Sequence, residues 1–155
     1  MQTEIERKFL CSKIPFDLSG FKNAEILQGY ISICPVVRLR SIGGEFFLTV
    51  KSQGDLVRQE MEMSLTGDQF NRLWAKTEPG TISKIRYFIP LEDGLTAELD
   101  IYGGHLQGLI TIEVEFKTEA AAKSFKPPGW FGKEVTGDHR FSNNQLSLSK
   151  SYHSF

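Results

Sequence analysis

Glu4-Ile5-Glu6-Arg7-Lys8-Phe9-Leu10 is the stretch of this chain that indicates its fold. Successive side chains of a β-strand point to opposite faces of the sheet. As a strand, this run therefore places its two glutamates and its lysine on one face, and its isoleucine, arginine and phenylalanine on the other. One face is charged and the other is mainly apolar. We predict a strand here, and the same alternation identifies the strands that follow.

The charged and apolar alternation recurs in five later segments. They are Arg38-Leu39-Arg40, Glu60-Met61-Glu62, Lys84-Ile85-Arg86, Glu98-Leu99-Asp100 and Glu113-Val114-Glu115. Short turn signals rich in Gly, Pro or Asp separate neighbouring runs, which favours hairpins and antiparallel pairing. With the opening run, the pattern predicts eight strands. The later seven span residues 28–33, 36–42, 45–51, 57–65, 81–89, 95–102 and 109–116.

Three segments carry helix signals. Thr66-Gly67-Asp68-Gln69 has the form of a capping box, and apolar residues follow it at helical spacing as far as Thr77. Thr118 is a candidate cap for a second helix over residues 119–125, which the Pro127-Pro128-Gly129 turn ends. A third, short helix is predicted after Ser142, where Ser142 and Gln145 match the capping box again. Residues 12–22 are predicted to be a connection.

Composition is that of an ordinary globular protein. The 155 residues are 40% hydrophobic and 24% charged, with a formal net charge of -1, so we expect residues 1–155 to form a single soluble domain. Cys11 and Cys34 lack metal-ligand spacing, and nothing at the amino terminus resembles a signal peptide, so we expect a cytoplasmic protein. No apolar run approaches the roughly 20 residues that span a bilayer, so no membrane insertion is expected.

Eight antiparallel strands in so short a chain favour a sheet that closes on itself, because closure removes exposed strand edges. We therefore predict an α+β, mainly β fold: a closed eight-stranded antiparallel β-barrel with flanking helices packed on the outside. Each charged triplet taken alone could be the solvated face of a sheet. The apolar stripes of the helices need an apolar partner, however, and the outer barrel face is the largest candidate. The six triplets together favour charges that face inward.

An interior lined by so many charges must admit water and ligands, because burying an unpaired charge costs several kcal/mol. Oxygen ligands suit Mg²⁺ or Mn²⁺, and the chain offers no His or Cys cluster for zinc. Arg and Lys suit phosphate. Acids and bases in one cavity indicate a metal-bound polyphosphate. The acids are Glu4, Glu6, Glu60, Glu62, Glu98, Asp100, Glu113 and Glu115, and the bases are Lys8, Arg38, Arg40, Lys51, Lys84 and Arg86.

The opening run resembles the ExExK signature of the CYTH family of triphosphate tunnel metalloenzymes, which includes tripolyphosphatases, thiamine triphosphatases and class IV adenylate cyclases. The resemblance continues along nearly the whole chain. The matching segments are residues 28–32, 37–40, 48–51, 84–87, 98–100, 113–116 and 132–136. Together these motifs are specific, although each alone is weak.

The resemblance implies a tunnel that holds a triphosphate and divalent cations. It implies that Glu4, Glu6, Glu113 and Glu115 hold the main metal ion and that Asp100 helps at a second. Lys8 resembles the family lysine near the attacking water. The implied phosphate ligands are Arg38, Arg40, Lys51, Lys84 and Arg86, joined by Lys133 and Arg140 from the carboxy-terminal part of the chain. Glu60, Glu62 and Glu98 are expected either to join the acidic set or to orient basic residues through salt bridges.

Three functions are considered for such a cavity. Hydrolysis of inorganic tripolyphosphate needs no pocket beyond the phosphate cradle. An adenylate cyclase or a thiamine triphosphatase needs a further surface that binds the organic part of its substrate. No aromatic or amide cluster in the sequence indicates such a surface. The third function is a non-catalytic module that binds polyphosphate or RNA ends. The carboxylates argue against it, because they do not help to bind a polyanion unless a metal ion lies between. We predict a tripolyphosphatase that acts on a small molecule, without nucleic acid or membrane, as a monomer or homodimer. We predict no role for His105, His139 and His153.

Overall fold

The computed structural model describes residues 1–152, which form a closed barrel of eight strands. The order around the barrel is β1-β5-β4-β3-β2-β6-β7-β8, and every neighbouring pair is antiparallel. The predicted fold class is confirmed. The strands are β1 Gln2–Leu10, β2 Lys22–Ser32, β3 Val36–Ile42, β4 Glu45–Lys51, β5 Val57–Leu65, β6 Ile82–Pro90, β7 Thr96–Tyr102 and β8 Ile110–Glu115.

Three short α-helices accompany the strands within the described residues: α1 Gly67–Trp74, α2 Glu119–Ser124 and α3 Asn143–Leu148. The capping box of α1 forms as predicted, because Thr66 Oγ1 accepts from Gln69 N–H while the Gln69 side chain accepts from Thr66 N–H. Thr118 caps α2 through the Ala121 N–H. Within residues 1–152, no helix is both long enough and apolar enough to cross a membrane.

The larger apolar cluster lies between the outer face of the barrel and the segments that cover it. Ile5, Phe9, Leu99 and Val114 point outward and are buried against α2 and aromatic side chains. A second cluster of Ile82, Tyr102, Leu106, Phe141 and Leu146 packs the carboxy-terminal segment against the inward side, where Ile82 and Tyr102 share their strand faces with Lys84 and Asp100. Burying a side chain of this size contributes about 1.5–3 kcal/mol. The apolar faces therefore point outward, and the prediction that the charged faces point inward is confirmed.

Helix α1 packs on β2, β3 and β4 through an aromatic stack. The rings of Phe46 and Phe70 lie 4.8 Å apart, and those of Phe70 and Trp74 lie 5.2 Å apart. Trp74 sits directly over Gly29, where a Cβ atom would lie 3.0 Å from the indole. The glycine therefore allows the helix to approach the sheet closely.

Apart from shifts of one to three residues at other ends, the structure differs from the sequence prediction at two elements. Strand β2 begins at Lys22, six residues earlier than predicted, because those residues pair with β6 in a register that aligns Lys22 with Phe88. Helix α3 forms after Ser142 as predicted, but the capping box is wrong: Ser142 Oγ donates to the His139 carbonyl at 2.8 Å instead. The first difference depends on a distant partner strand, whereas the second depends on a carbonyl only three residues away.

Residues 132–141, here called the tail segment, complete one edge of the barrel wall. Strand β5 pairs with Gln2–Ile5 of β1 and goes no further along it. Beyond that point the tail segment takes over, since Leu10 N–H donates to Lys133 O at 2.8 Å and Gly132 N–H donates to Leu10 O at 2.7 Å. Phe9 and Glu134 form an isolated antiparallel bridge. The tail segment thus acts as a short additional strand.

Candidate functional site

The barrel encloses a cavity of about 800 Å³ whose walls come from all eight strands and the tail segment. Thirteen of the charged residues singled out from the sequence line it. These are Glu4, Glu6, Lys8, Arg38, Arg40, Lys51, Glu60, Glu62, Lys84, Arg86, Glu98, Glu113 and Glu115. The alternation of each strand produces this arrangement, because a single inward face collects every second residue.

Three carboxylates form a cluster on the two adjacent strands β1 and β8. Oxygen atoms of Glu4, Glu6 and Glu115 all lie within 4.8 Å of one another. Burial, followed by repulsion from Glu113 and Glu4, raises the pKa of Glu6 well above its ordinary value. Burial and neighbouring acids likewise raise the pKa of Glu115 to about 7. Such mutual repulsion is relieved by a hard divalent cation, so the donor set fits a metal site.

Glu113 lies on the same face of β8 as Glu115 but has basic neighbours. Its carboxylate is 3.5 Å from Lys8 Nζ and 3.6 Å from an Arg86 nitrogen. Although burial alone would raise its pKa, Lys8, Arg86 and Lys84 hold the pKa of Glu113 well below its ordinary value. Glu113 is thus set apart from the acidic cluster and lies among the bases, and its role as a metal ligand stays a prediction.

Asp100 shares the inward face of β7 with Glu98 but does not itself line the cavity, because Lys84 and Arg86 cover it. Its side chain is fully buried, and its oxygens accept from Lys84 Nζ at 2.6 Å and from Arg86 Nε and Nη2 at 2.7 Å each. Burial favours the neutral acid, yet Arg86 and Lys84 lower the pKa of Asp100 below its ordinary value. This geometry makes Asp100 an anchor for two bases, and its part at a second metal ion stays a prediction.

The three acids of uncertain role each lie beside a base. Glu60 is 3.4 Å from Lys51 Nζ, and Glu62 is 3.4 Å from Arg40. Glu98 forms an ion pair with Arg86. Each acid is therefore placed to orient a basic side chain, and this role stays a prediction.

The arginines of β3 are incompletely paired. Arg38 donates to Thr49 Oγ1 at 3.3 Å and lies 3.8 Å from Glu62. Among the buried side-chain atoms of residues 1–152, Arg38 Nε and Arg40 Nε have no hydrogen-bond partner. Burial and the nearby Arg38 lower the pKa of Arg40 to about 10. Buried donors without acceptors are costly, so these side chains favour an anionic ligand in the cavity.

Two predicted phosphate ligands lie apart from this site. Lys133 and Arg140 are exposed, and neither is among the residues that line the cavity. The Arg140 guanidinium donates to Asp138 from Nε at 3.0 Å and from Nη2 at 2.7 Å. The structure therefore does not bring these two residues to the other bases, and their contribution stays a prediction.

Sequence reasoning missed several residues of the cavity. Arg58 contacts Glu4 at 3.6 Å and Glu6 at 3.9 Å, and it lies two residues before Glu60 on β5. The period of two could have identified it. Gln28 and Tyr30 also line the cavity, and Gln28 donates to the tyrosine hydroxyl at 3.0 Å. Uncharged residues of this kind carry no charge signal in the sequence.

Lys8 lies deep in the cavity beside the tail segment. Its Nζ donates to the Phe141 carbonyl at 2.7 Å. Nearby, Tyr102 donates to Asn143 Oδ1 at 2.7 Å, so the barrel is also joined to the chain that follows the tail segment. His105 does not line the cavity, and its Nε2 lies 3.1 Å from the Leu146 carbonyl. His139 of the tail segment does line the cavity, and His153 lies outside the described residues.

Comparison with known proteins gives related chains over almost the full length. The chain is 47% identical over 152 residues to an inorganic triphosphatase of Nitrosomonas europaea, covering 95% of this chain and 98% of that protein. It is 36% identical to an inorganic triphosphatase of Acetivibrio thermocellus, covering 94% of each. The crystal structure of the inorganic triphosphatase NE1496 is 43% identical with a TM-score of 0.71, covering 97% of this chain and 98% of that one. No family model matches the sequence.

Proposed function

This chain belongs to the inorganic triphosphatases of the CYTH, or triphosphate tunnel, family, and from that premise we propose that it hydrolyses inorganic tripolyphosphate to diphosphate and phosphate with Mg²⁺ or Mn²⁺. One observation carries the proposal: a single cavity holds a cluster of three carboxylates and, around it, buried arginines with unsatisfied donors. Acids that suit a cation and bases that suit an anion meet where a metal-bound polyphosphate would bind.

Glu4, Glu6 and Glu115 would hold the divalent cation. Their donors are all carboxylate oxygens, which suit Mg²⁺ or Mn²⁺. When bound, the cation would polarise phosphoryl oxygens and offset charge that develops on them. Glu113 lies on the same inward face of β8 as Glu115, and we propose it as a further ligand.

The basic residues would bind the phosphates. Arg38 and Arg40 have free Nε donors, and a guanidinium can grip phosphate oxygens in a bidentate manner. Lys84 and Arg86 are held by Asp100, so their charges are fixed before substrate arrives. Fixed charges cost little reorganisation in the transition state. Lys51 completes the cradle from β4, paired with Glu4 at 2.9 Å.

Lys8 would act at the reacting phosphoryl group. One of its ammonium protons is directed to the Phe141 carbonyl, and Glu113 lies 3.5 Å away. An ammonium has three donors, so two remain to hold the attacking water and a phosphoryl oxygen. We therefore propose Lys8 as the residue that positions the water for attack.

A product screen tests the proposal. The purified chain is incubated with tripolyphosphate, ATP or thiamine triphosphate, each with Mg²⁺ or Mn²⁺, and phosphate, diphosphate and cyclic AMP are quantified. We expect equimolar phosphate and diphosphate from tripolyphosphate, with a higher kcat/KM than for either organic substrate. Cyclic AMP from ATP, or preferential cleavage of thiamine triphosphate, would contradict the proposed substrate.

A further inference from the structure

The main chain of Lys8 is bound by the tail segment at a place where a neighbouring strand is missing. Lys8 lies past the end of the β5 pairing, on the edge of β1 that the tail segment covers. Its carbonyl accepts from Val135 N–H at 2.8 Å, as in an ordinary ladder. Its N–H, however, donates to a side chain, Thr136 Oγ1, at 2.9 Å. With the Nζ bond to Phe141, three groups of Lys8 depend on the tail segment.

Thr136 is itself held by an ion pair on the outside of the barrel. Its hydroxyl donates to Glu134 Oε2 at 2.8 Å. Arg7 binds the same carboxylate with both arms of its guanidinium, from Nε at 2.8 Å and from Nη2 at 2.7 Å. A hydroxyl that donates to a carboxylate has its lone pairs directed to other donors, so the Lys8 N–H finds a well-oriented acceptor.

Arg7 in turn is fixed to helix α2. Its Nη1 donates to the carbonyls of Ala122 at 2.8 Å and Phe125 at 2.9 Å, at the carboxyl end of that helix. Hydrogen bonding from Arg7 lowers the pKa of Glu134, so the carboxylate stays ionised as an acceptor. A continuous chain of hydrogen bonds therefore runs from α2 through Arg7, Glu134 and Thr136 to Lys8.

We propose that Thr136, braced by Glu134 and Arg7, is a positioning residue for Lys8. Arg7 and Lys8 are neighbours on β1 and point to opposite faces of the strand. Lys8 faces the cavity, and Arg7, on the outer face, orients it through Glu134 and Thr136. This inference rests on the proposed function, in which Lys8 positions the attacking water. A misplacement of a reacting group lowers the rate of the chemical step more than it lowers substrate binding.

The test compares three variants of similar size. Thr136→Val removes the hydroxyl and keeps the shape, Thr136→Ser restores the hydroxyl, and Thr3→Val makes the same chemical change on β1, where the hydroxyl accepts from Gln59. For tripolyphosphate hydrolysis we expect Thr136→Val to lower kcat about tenfold with KM changed less than about twofold. Thr136→Ser should recover most of kcat, and Thr3→Val should match the wild type.

A double-mutant cycle asks whether Thr136 acts through Lys8. In a Lys8→Ala background, Thr136→Val should lower the residual kcat by less than about twofold, because the group it positions is gone. Equal fold-losses with and without Lys8 would overturn the inference. So would an unchanged kcat in Thr136→Val, or a loss in KM alone, both of which indicate a merely structural threonine.

Amide hydrogen exchange provides a readout that does not depend on turnover. Thr136→Val should accelerate exchange at the Lys8 amide by at least about tenfold, while the amides of β1 that pair with β8 keep wild-type rates. Unchanged exchange at Lys8 would overturn the inference even in an active enzyme. Conversely, accelerated exchange in a chain that cleaves no triphosphate would refute the proposed function and the catalytic part of the inference, while leaving the hydrogen-bond chain established.

Discussion

At the scale of single residues, Glu113 and Glu115 show that two glutamates on one strand can have opposite pKa shifts. They lie two positions apart on the inner face of β8. Burial acts on both, but Glu113 faces Lys8 and Arg86, whereas Glu115 faces other acids. The pKa of Glu113 therefore falls and that of Glu115 rises to about 7. Glu113 therefore lies among bases, whereas Glu115 belongs to the acidic cluster that we propose as the cation site.

The raised pKa of Glu115 predicts a pH-dependent effect on stability without metal. An acid whose pKa is raised by folding contributes stability that is present below its unfolded pKa of about 4.5 and is lost as pH rises through its folded value of about 7. Glu115→Gln removes this titration, so its melting temperature relative to the wild type should rise between pH 5 and pH 8. The carboxylate is partly exposed and screened, so we expect a relative gain of about 2–4 °C.

Differential scanning calorimetry with a chelator present measures this effect. Glu45→Gln, an exposed position at the start of β4, provides the matched control and should show no such trend. Added Mg²⁺ should stabilise the wild type at pH 8 more than Glu115→Gln, because the amide carries no charge. A constant difference between Glu115→Gln and wild type from pH 5 to pH 8 would refute the assigned pKa.

At the scale of elements, the contact of α1 with the barrel depends on a missing side chain. A Cβ at Gly29 would lie 3.0 Å from Trp74 Cη2 and 3.2 Å from Thr77 Cγ2. Gly29→Ala should therefore push the indole away from β2 and destabilise the fold by about 1–3 kcal/mol. Urea denaturation followed by tryptophan fluorescence measures both the loss and the altered environment of the indole.

Gly20→Ala is the control for this prediction. A Cβ at Gly20 meets no atom within 4 Å, so the substitution should be close to neutral. If Gly29→Ala were as stable as Gly20→Ala, the close packing of α1 on β2 would be disproved. The cavity and the residues proposed to act in it lie on the opposite face of the sheet, so kcat of the folded Gly29→Ala variant should change little.

At the scale of the whole molecule, the cavity gathers charges of both signs from the strands of the barrel. Under the proposed function, substrate and cation would bind these charges in the folded state alone, so they should raise the melting temperature. A non-hydrolysable tripolyphosphate analogue with Mg²⁺ at about 100 times its Kd should contribute about 2.7 kcal/mol. For a chain of 155 residues this corresponds to a rise of about 5–10 °C.

Arg38→Ala tests whether Arg38 binds the phosphates, because it removes a buried base with an unsatisfied donor. At the same analogue concentration, the ligand-induced rise in melting temperature of Arg38→Ala should be half that of the wild type or less. The melting temperature of the unliganded variant should differ from that of the unliganded wild type by a smaller amount. Thermal shift assays over a ligand titration give both quantities. An undiminished shift would place the phosphates away from Arg38.

The sequence by itself determined the strands and the direction of their faces. Alternation along a strand is a local property, and so are the turns that join neighbouring strands. Counting every second residue along each strand, as from Glu4 on β1 and from Lys84 on β6, therefore identifies charged side chains of the cavity wall from the order of residues alone. The same local rule could have added Arg58, which lies in step with Glu60.

The tertiary structure alone decided which charges meet. Arg7 and Glu134 are 127 positions apart in the chain, and Lys8 and Thr136 are 128 apart, so their contacts depend on how the closed barrel positions the tail segment. The separation of Glu113 from the acidic cluster also arises across strands, from Lys8 and Arg86. The local pattern determines the face on which a charged side chain lies. Closure of the barrel determines which other charged residue it pairs with, because the interaction depends on the distance between the two charges.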